Sequence, residues 1–220
     1  MPKKVAFLHT FPTLVTLFNQ LSQIIFPPDV EVFHIVDEML LKIVLAQGGL
    51  SPFIHRRVAE HAIAVEAGGV DLLQITCSSI SPCVDSARPL VGIPVLRIDE
   101  PMVEKAISTG IVIGVCATAS TTLKPTTELV LARALAAKKD VQVEPVLCAA
   151  AYTALFAGDQ HTHDLLVREA IFNLTRRTDV VILAQASMAR VLDSMDPSEL
   201  KAPVLTSPRL ALERALELLG

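Results

Sequence analysis

VDLLQITCSSIS, residues 70–81, and DVVILAQASMA, residues 179–189, are built on one plan. Each has an aspartate at the start of an apolar run, then a small polar loop that opens a helix. Asp71 and Asp179 lie 108 positions apart, as do Cys77 and Gln185. The runs between are continuously apolar rather than alternating. A parallel strand covered on both faces requires that pattern. Six further runs read as strands, several of them continuously apolar: KVAFLH (4–9), VEVFHIV (30–36), IPVLRI (93–98), IVIGVC (111–116), VQVEPVL (141–147) and APVLT (202–206).

Helical patterns fill the gaps. In residues 53–67, Ile54, Val58, Ala62 and Val65 make one apolar stripe, with Arg56, Arg57 and Glu60 on the other side. Gly68 and Gly69 end it, because glycine accepts the left-handed cap. Ser207 and Pro208 read as N-cap and first turn of a last helix whose apolar face is Leu212, Ala215, Leu216 and Leu219. Strand–helix alternation predicts an α/β fold of two similar doubly wound parallel-sheet lobes. The expected division is residues 1–97 with 207–220, and residues 98–206. A site is expected in the cleft between the lobes, at the carboxyl ends of the strands.

The bulk properties exclude several classes. No apolar run approaches the roughly 18 residues of a membrane span, and His9 and Pro12 break the only stretch resembling a leader. The net charge of −4 is spread without a basic stripe or a stacking platform, which argues against nucleic acid. The four cysteines, 77, 83, 116 and 148, fit neither a zinc ribbon nor a disulfide framework. A cytoplasmic protein with free thiols is expected. No GxGxxG, P-loop or GxSxG occurs, so nucleotide and serine-hydrolase chemistry lack a motif.

Four loops after strands can carry chemistry. Cys77 follows a buried strand and opens a helical segment, whose N–H groups would lower a thiol's pKa. Ser78 and Ser79 add donors suited to a carboxylate; a buried cysteine with hydroxyl caps is the plainer reading. Gln185 holds the place in the second lobe that Cys77 holds in the first. Its amide donates and accepts hydrogen bonds but removes no proton. In Cys116–Thr122, Thr118, Ser120 and Thr121 crowd a helix start beyond what capping needs, as a small-anion loop would. After the first strand, Thr10 can bind an anion. His9 is a binding or acid/base group, or a structural histidine. His161, His163 and Asp164 are better read as a polar helix start than as a metal site. His55 and His61 read as solvated and Cys83 as a packing residue; Cys148 reads as packing, or as a group facing the same cleft as Cys77 that could act with it, as could His9.

Together these loops resemble the aspartate/glutamate/hydantoin racemase superfamily over essentially the whole chain. Hydantoin and allantoin racemases carry a segment resembling LGCAGMA where this chain has LAQASMA (183–189). Leu183, Ala186, Met188 and Ala189 agree, and Gln185 stands where a second cysteine is expected. The resemblance implies a racemase or epimerase acting beside the carboxylate of an amino acid or related small molecule. It implies Cys77 as acid/base thiol, with no metal or pyridoxal phosphate, and a homo-oligomer, a dimer by analogy. It also implies that His9, Thr10, Ser78, Ser79, Thr118, Ser120, Thr121, Ala186 and Ser187 line the substrate. Gln185 departs from the two-thiol pattern. This opens a single-thiol decarboxylase or cis–trans isomerase of a dicarboxylate, or a non-catalytic small-anion binder, as alternatives. The lack of an aspartate at position 9 argues against a close glutamate racemase.

Overall fold

The computed structural model describes residues 2–220. In chain order its elements begin β1 (Lys4–His9), α1 (Thr13–Ile25), β2 (Glu31–Val36), α2 (Glu38–Gln47) and α3 (Pro52–Ala67). They continue with β3 (Leu72–Ile75), α4 (Val84–Ala87), β4 (Val95–Arg97), α5 (Glu100–Thr109) and β5 (Val112–Ala117). Then come α6 (Ser120–Ala136), β6 (Gln142–Leu147), α7 (Ala149–Phe156) and α8 (Gln160–Thr175). The chain ends with β7 (Val180–Leu183), α9 (Ala189–Asp193), β8 (Val204–Thr206) and α10 (Ser207–Leu219). A strand forms at each of the eight apolar runs. Two compact units result: the chain up to Glu100 with Pro208–Gly220, and Pro101–Ser207.

The first unit holds a four-stranded parallel sheet in the order β2-β1-β3-β4, and the second repeats it as β6-β5-β7-β8. Central strands are buried along their length because helices cover both faces. In the first unit, Ala6, Leu8, Leu73 and Ile75 pack against Leu40 and Val44 of α2 and the Ile54, Val58, Ala62 and Val65 stripe of α3. On the other face Phe7 lies against Phe18 of α1, with ring centroids 5.0 Å apart. In the second unit, Cys116, Val181 and Leu183 pack on Val167, Ile171 and Leu174 of α8. The edge strands β2 and β6 are half-exposed, and β6 tolerates Pro145 because an edge strand can lack one donor.

The two aspartates of the repeated plan do the same work. Asp71 Oδ2 accepts the Lys4 amide at 2.7 Å, at the start of β1. Asp179 Oδ2 accepts the Ile111 and Val112 amides, each at 2.8 Å, at the start of β5. Those two N–H groups hold the Asp179 carboxyl below the usual carboxylate range. The clamp leaves no room at Gly110, where a Cβ would come 2.3 Å from Asp179 Cβ.

Two local expectations change. The left-handed residue ending α3 is Gly69, with φ +73°, and Gly68 stays right-handed. Ser207 is the first residue of α10, and its buried hydroxyl makes no hydrogen bond. No helix among the described residues is long and apolar enough to cross a membrane.

β4 ends in a buried ion pair. Arg97 Nε and Nη2 donate to the Asp99 oxygens at 3.0 and 3.1 Å, and both side chains are at most 7% exposed. Removing one member of such a pair strands the other charge. Arg97→Met is therefore expected to destabilise the protein by about 3–5 kcal/mol, read as a lower urea midpoint. Arg97→Met with Asp99→Leu should recover much of that loss. An unchanged midpoint in the single variant would contradict the assignment.

Candidate active site

β1 and β5 each end one residue before a threonine, and each threonine faces the second residue after the neighbouring strand. In the first unit, Thr10 is buried and its hydroxyl donates to Cys77 Sγ. In the second, the Thr118 amide donates to Gln185 Oε1 at 2.6 Å and its hydroxyl donates to the same oxygen at 2.9 Å. Thr10 and Thr118 are 108 positions apart, the spacing that also relates Cys77 to Gln185. The sheet order explains the pairing: β1 lies beside β3 and β5 beside β7, so the ends of each pair are neighbours.

Cys77 begins a tight turn. Its carbonyl accepts the amides of Ile80 and Ser81 at 3.1 and 3.0 Å and the Ser81 hydroxyl at 3.2 Å. The sulfur is half-buried. Burial pushes its pKa above the ordinary thiol value, against the pull of the Thr10 hydroxyl, the Ser79 and Ile80 amides and the Ser79 hydroxyl. The expected depression at a helix start is thus reversed: desolvation of a thiolate outweighs the local donors. At rest Cys77 is a thiol.

Gln185 has a fixed amide orientation. A backbone N–H can only donate, so the atom 2.6 Å from the Thr118 nitrogen is the carbonyl oxygen. Both hydrogens of Nε2 consequently point away from Thr118. The amide group is half-buried and stands at the carboxyl end of the second sheet.

The other expected site residues divide. Ser78 and Ser79 are buried in the Cys77 turn, and Ala186 is buried directly after Gln185. Ser187 is exposed in the same turn, Thr121 is half-buried, and Ser120 is exposed at the start of α6. Ser120 borders a cavity of about 370 Å³ that runs along α6 past Leu123 and Thr127 to Pro145, with no thiol in its wall.

His9 is fully buried and both its ring nitrogens are engaged within the protein. Thr76 Oγ1 donates to the Leu8 carbonyl at 2.9 Å and so accepts from His9 Nδ1 at 2.8 Å. His9 Nε2 then accepts from His34 Nδ1 at 2.9 Å. The next link, His34 Nε2, is 2.9 Å from Asn19 Oδ1. His9 therefore braces the Thr76–Cys77 strand end and offers no free ring nitrogen to a ligand. His34 and Asn19 gave no signal in the sequence, because their role depends on which strand lies beside β1.

Two further residues differ from expectation. His61 is mostly buried and bonds Asp37 Oδ2 at 2.9 Å, and His55 bonds Ser86 Oγ at 2.8 Å; neither is simply solvated. Cys148, half-buried, packs against the core of the second unit as expected, with its sulfur 3.8 Å from that of Cys116. Asp159 caps α8 by accepting the Thr162 amide at 3.0 Å, as a polar helix start should. Among the described residues no three His, Cys, Asp or Glu side chains group to hold a metal ion.

Solved structures similar to this chain include racemases. The family profile described as Asp/Glu/Hydantoin racemase matches residues 51–215. By structure, the chain is similar to Picrophilus torridus aspartate racemase, with a TM-score of 0.75, 12% identity and coverage of 98% of this chain and 94% of that one. It is similar to glutamate racemase from Francisella tularensis subsp. tularensis SCHU S4, solved in complex with D-glutamate (TM-score 0.74, 16% identity, 99% and 81% covered). Allantoin racemase from Klebsiella pneumoniae gives a TM-score of 0.68 at 18% identity, covering 99% and 89%. At these identities the likeness establishes the fold. No curated protein matches by sequence. The chain belongs to the Asp/Glu/hydantoin racemase family and is an isomerase of the racemase class.

His9 makes stability pH-dependent. Burial, with the neighbouring His34, lowers its pKa to about 3 in the folded protein. The unfolded chain takes up that proton below the ordinary value of 6.5. His9's contribution is therefore complete above pH 6.5 and drains away as the pH falls toward 3, at about 1.4 kcal/mol per pH unit. Urea unfolding at several pH values across that window should show the decline. His9→Gln should flatten it, and an identical slope in the variant would refute the assignment.

Proposed function

We propose that this protein is a cofactor-independent enzyme that moves a proton at the α-carbon of an amino acid or related small carboxylate. Cys77 is its acid/base thiol, and Gln185 is a fixed amide donor in place of a second thiol. The observation that carries this reading is the pair of hydrogen bonds that the Thr118 amide and hydroxyl donate to Gln185 Oε1. It commits the Nε2 hydrogens to whatever lies beyond, and suits them to a carboxylate or an enolate oxygen. A fixed donor of that kind stabilises the charge that develops as the α-proton leaves. An amide takes no part in proton transfer itself. The chain would act in the cytosol as a homo-oligomer, and four free cysteines suit a reducing compartment.

The chemistry of a single thiol differs from that of two. Cys77 first yields its thiol proton to solvent; the thiolate then removes the α-proton, the enediolate charge rests on oxygens held by Gln185, and the same sulfur returns a proton that has exchanged with water. The balance is one proton out and one proton in. Exchange therefore runs ahead of inversion, because no second thiol supplies the opposite face.

A second reading is favoured by the raised pKa of Cys77. A resting thiol is ready to donate, not to accept. Loss of carbon dioxide from a malonate-type dicarboxylate generates the enediolate without a base. Cys77 then has only to protonate it and recover its proton from solvent.

Incubation in D₂O with both enantiomers of aspartate and glutamate, with 5-substituted hydantoins and with arylmalonates tests both readings. The first predicts α-deuterium incorporation faster than change of handedness. The second predicts carbon dioxide release with one deuterium in the product. Cys77→Ala should abolish either reaction. Gln185→Ala should lower it by about 10²–10³-fold, the usual loss for one oxyanion donor. Full activity of Cys77→Ala, or no reaction with any member of the panel, would count against the proposal.

A further inference from the structure

We propose that Cys116 and Cys148 form a modification site: a hydroperoxide joins them into a reversible disulfide, and this loosens the grip of Thr118 on Gln185. The two sulfurs are 3.8 Å apart, within thiol hydrogen-bond distance. Cys116 is fully buried at the end of β5, and Cys148 is half-buried just beyond β6. An accessible sulfur with a shielded one behind it is the arrangement of a reacting and a resolving thiol.

The local charge state agrees with those roles. Either sulfur can donate in this contact; with the proton on the deeper Cys116, the hydrogen bond lowers Cys148 below the ordinary thiol value. The same hydrogen bond, with burial, raises Cys116. Burial pushes both other thiols up, Cys83 to about 12. Cys148 is therefore the sulfur that reaches the thiolate most readily and meets the oxidant. It attacks the terminal oxygen of the hydroperoxide and breaks the O–O bond, leaving a sulfenic acid and, after protonation, an alcohol or water. The Cys116 sulfur then attacks the Cys148 sulfur, losing its own proton, and the hydroxyl leaves as water. Two thiols and one hydroperoxide become one disulfide, one alcohol or water, and one further water. The sulfurs lose two electrons and the peroxide oxygens gain them.

Closure has a structural consequence. A disulfide needs about 2.05 Å between sulfurs, so the pair must close by about 1.8 Å. Cys116 is held in the sheet interior against α8. The movement falls on Cys148, which caps the short helix α7. The Cys148 amide donates to the Ala117 carbonyl at 2.8 Å, and Ala117 directly precedes Thr118. A shift at Cys148 is thus passed to the residue whose amide and hydroxyl orient Gln185.

The test uses the whole folded protein, needs no substrate, and stands apart from the proposed reaction. The protein is titrated with hydrogen peroxide, alkylated, digested without reductant and analysed by mass spectrometry. The expected result is a Cys116–Cys148 linked peptide two hydrogens lighter than its parts, abolished by dithiothreitol, with Cys77 still alkylated. Amide hydrogen exchange over residues 117–122 should quicken by roughly fivefold in the oxidised form, because the Thr118 bond opens more often. Cys148→Ser, at a half-exposed position, should show neither change. Cys116→Ser should leave a Cys148 sulfenic acid that dimedone captures. Absence of the linked peptide while Cys148 remains reactive would overturn the site. A linked peptide with unchanged exchange at Thr118 would overturn its coupling to Gln185.

Discussion

The pairing of the Thr118 amide with Gln185 Oε1 is the constraint on which the functional account depends. It turns a freely rotating side chain into a directed one. A glutamine alone is ambiguous, because oxygen and nitrogen can exchange places. A backbone donor at 2.6 Å removes the ambiguity and commits the nitrogen to donation elsewhere. In the first unit the Thr10 hydroxyl alone faces the corresponding residue, with the Cys77 sulfur in the acceptor place. The two units thus share a scaffold and differ in the group held there: a thiol can carry a proton and an amide can only hold one in place.

That scaffold comes from β-sheet order. In both units the first strand is central, and the loop after it lies beside the loop after the third strand. The aspartates at the starts of β3 and β7 secure the same neighbours from the other end, through Lys4 on one side and through Ile111 and Val112 on the other. Clamped at both ends, each strand pair keeps its register and presents its loop residues without depending on loop stiffness. His9 adds a neutral buried brace to the first unit, and the second has Ala117 in that place.

The strands were legible because a buried parallel strand has little choice but a continuous apolar run, and VDLLQIT and DVVILA say so directly. The α3 stripe was legible for the matching reason, since Ile54, Val58, Ala62 and Val65 have one face to bury. The candidate site was legible as a set of residues and not as a set of bonds. Cys77 and Gln185 announce themselves by their shared place in the repeat. The reversal at Cys77, from an expected depressed thiol to a raised one, depends on how much water the fold removes from the sulfur, which no local pattern encodes. The engagement of His9 depends on β2 lying beside β1, and the contact of Cys116 with Cys148 on β6 lying beside β5. Those are long-range pairings, invisible to spacing along the chain.

The most direct measurement is the through-hydrogen-bond scalar coupling between the Thr118 amide nitrogen and the Gln185 side-chain carbonyl carbon, by NMR of the uniformly labelled protein. The account predicts a resolved coupling, together with a Thr118 amide protected from solvent exchange. A rapidly exchanging Thr118 amide with no coupling to Gln185 would mean that the side chain is free to turn, and its assignment as a fixed donor would be wrong.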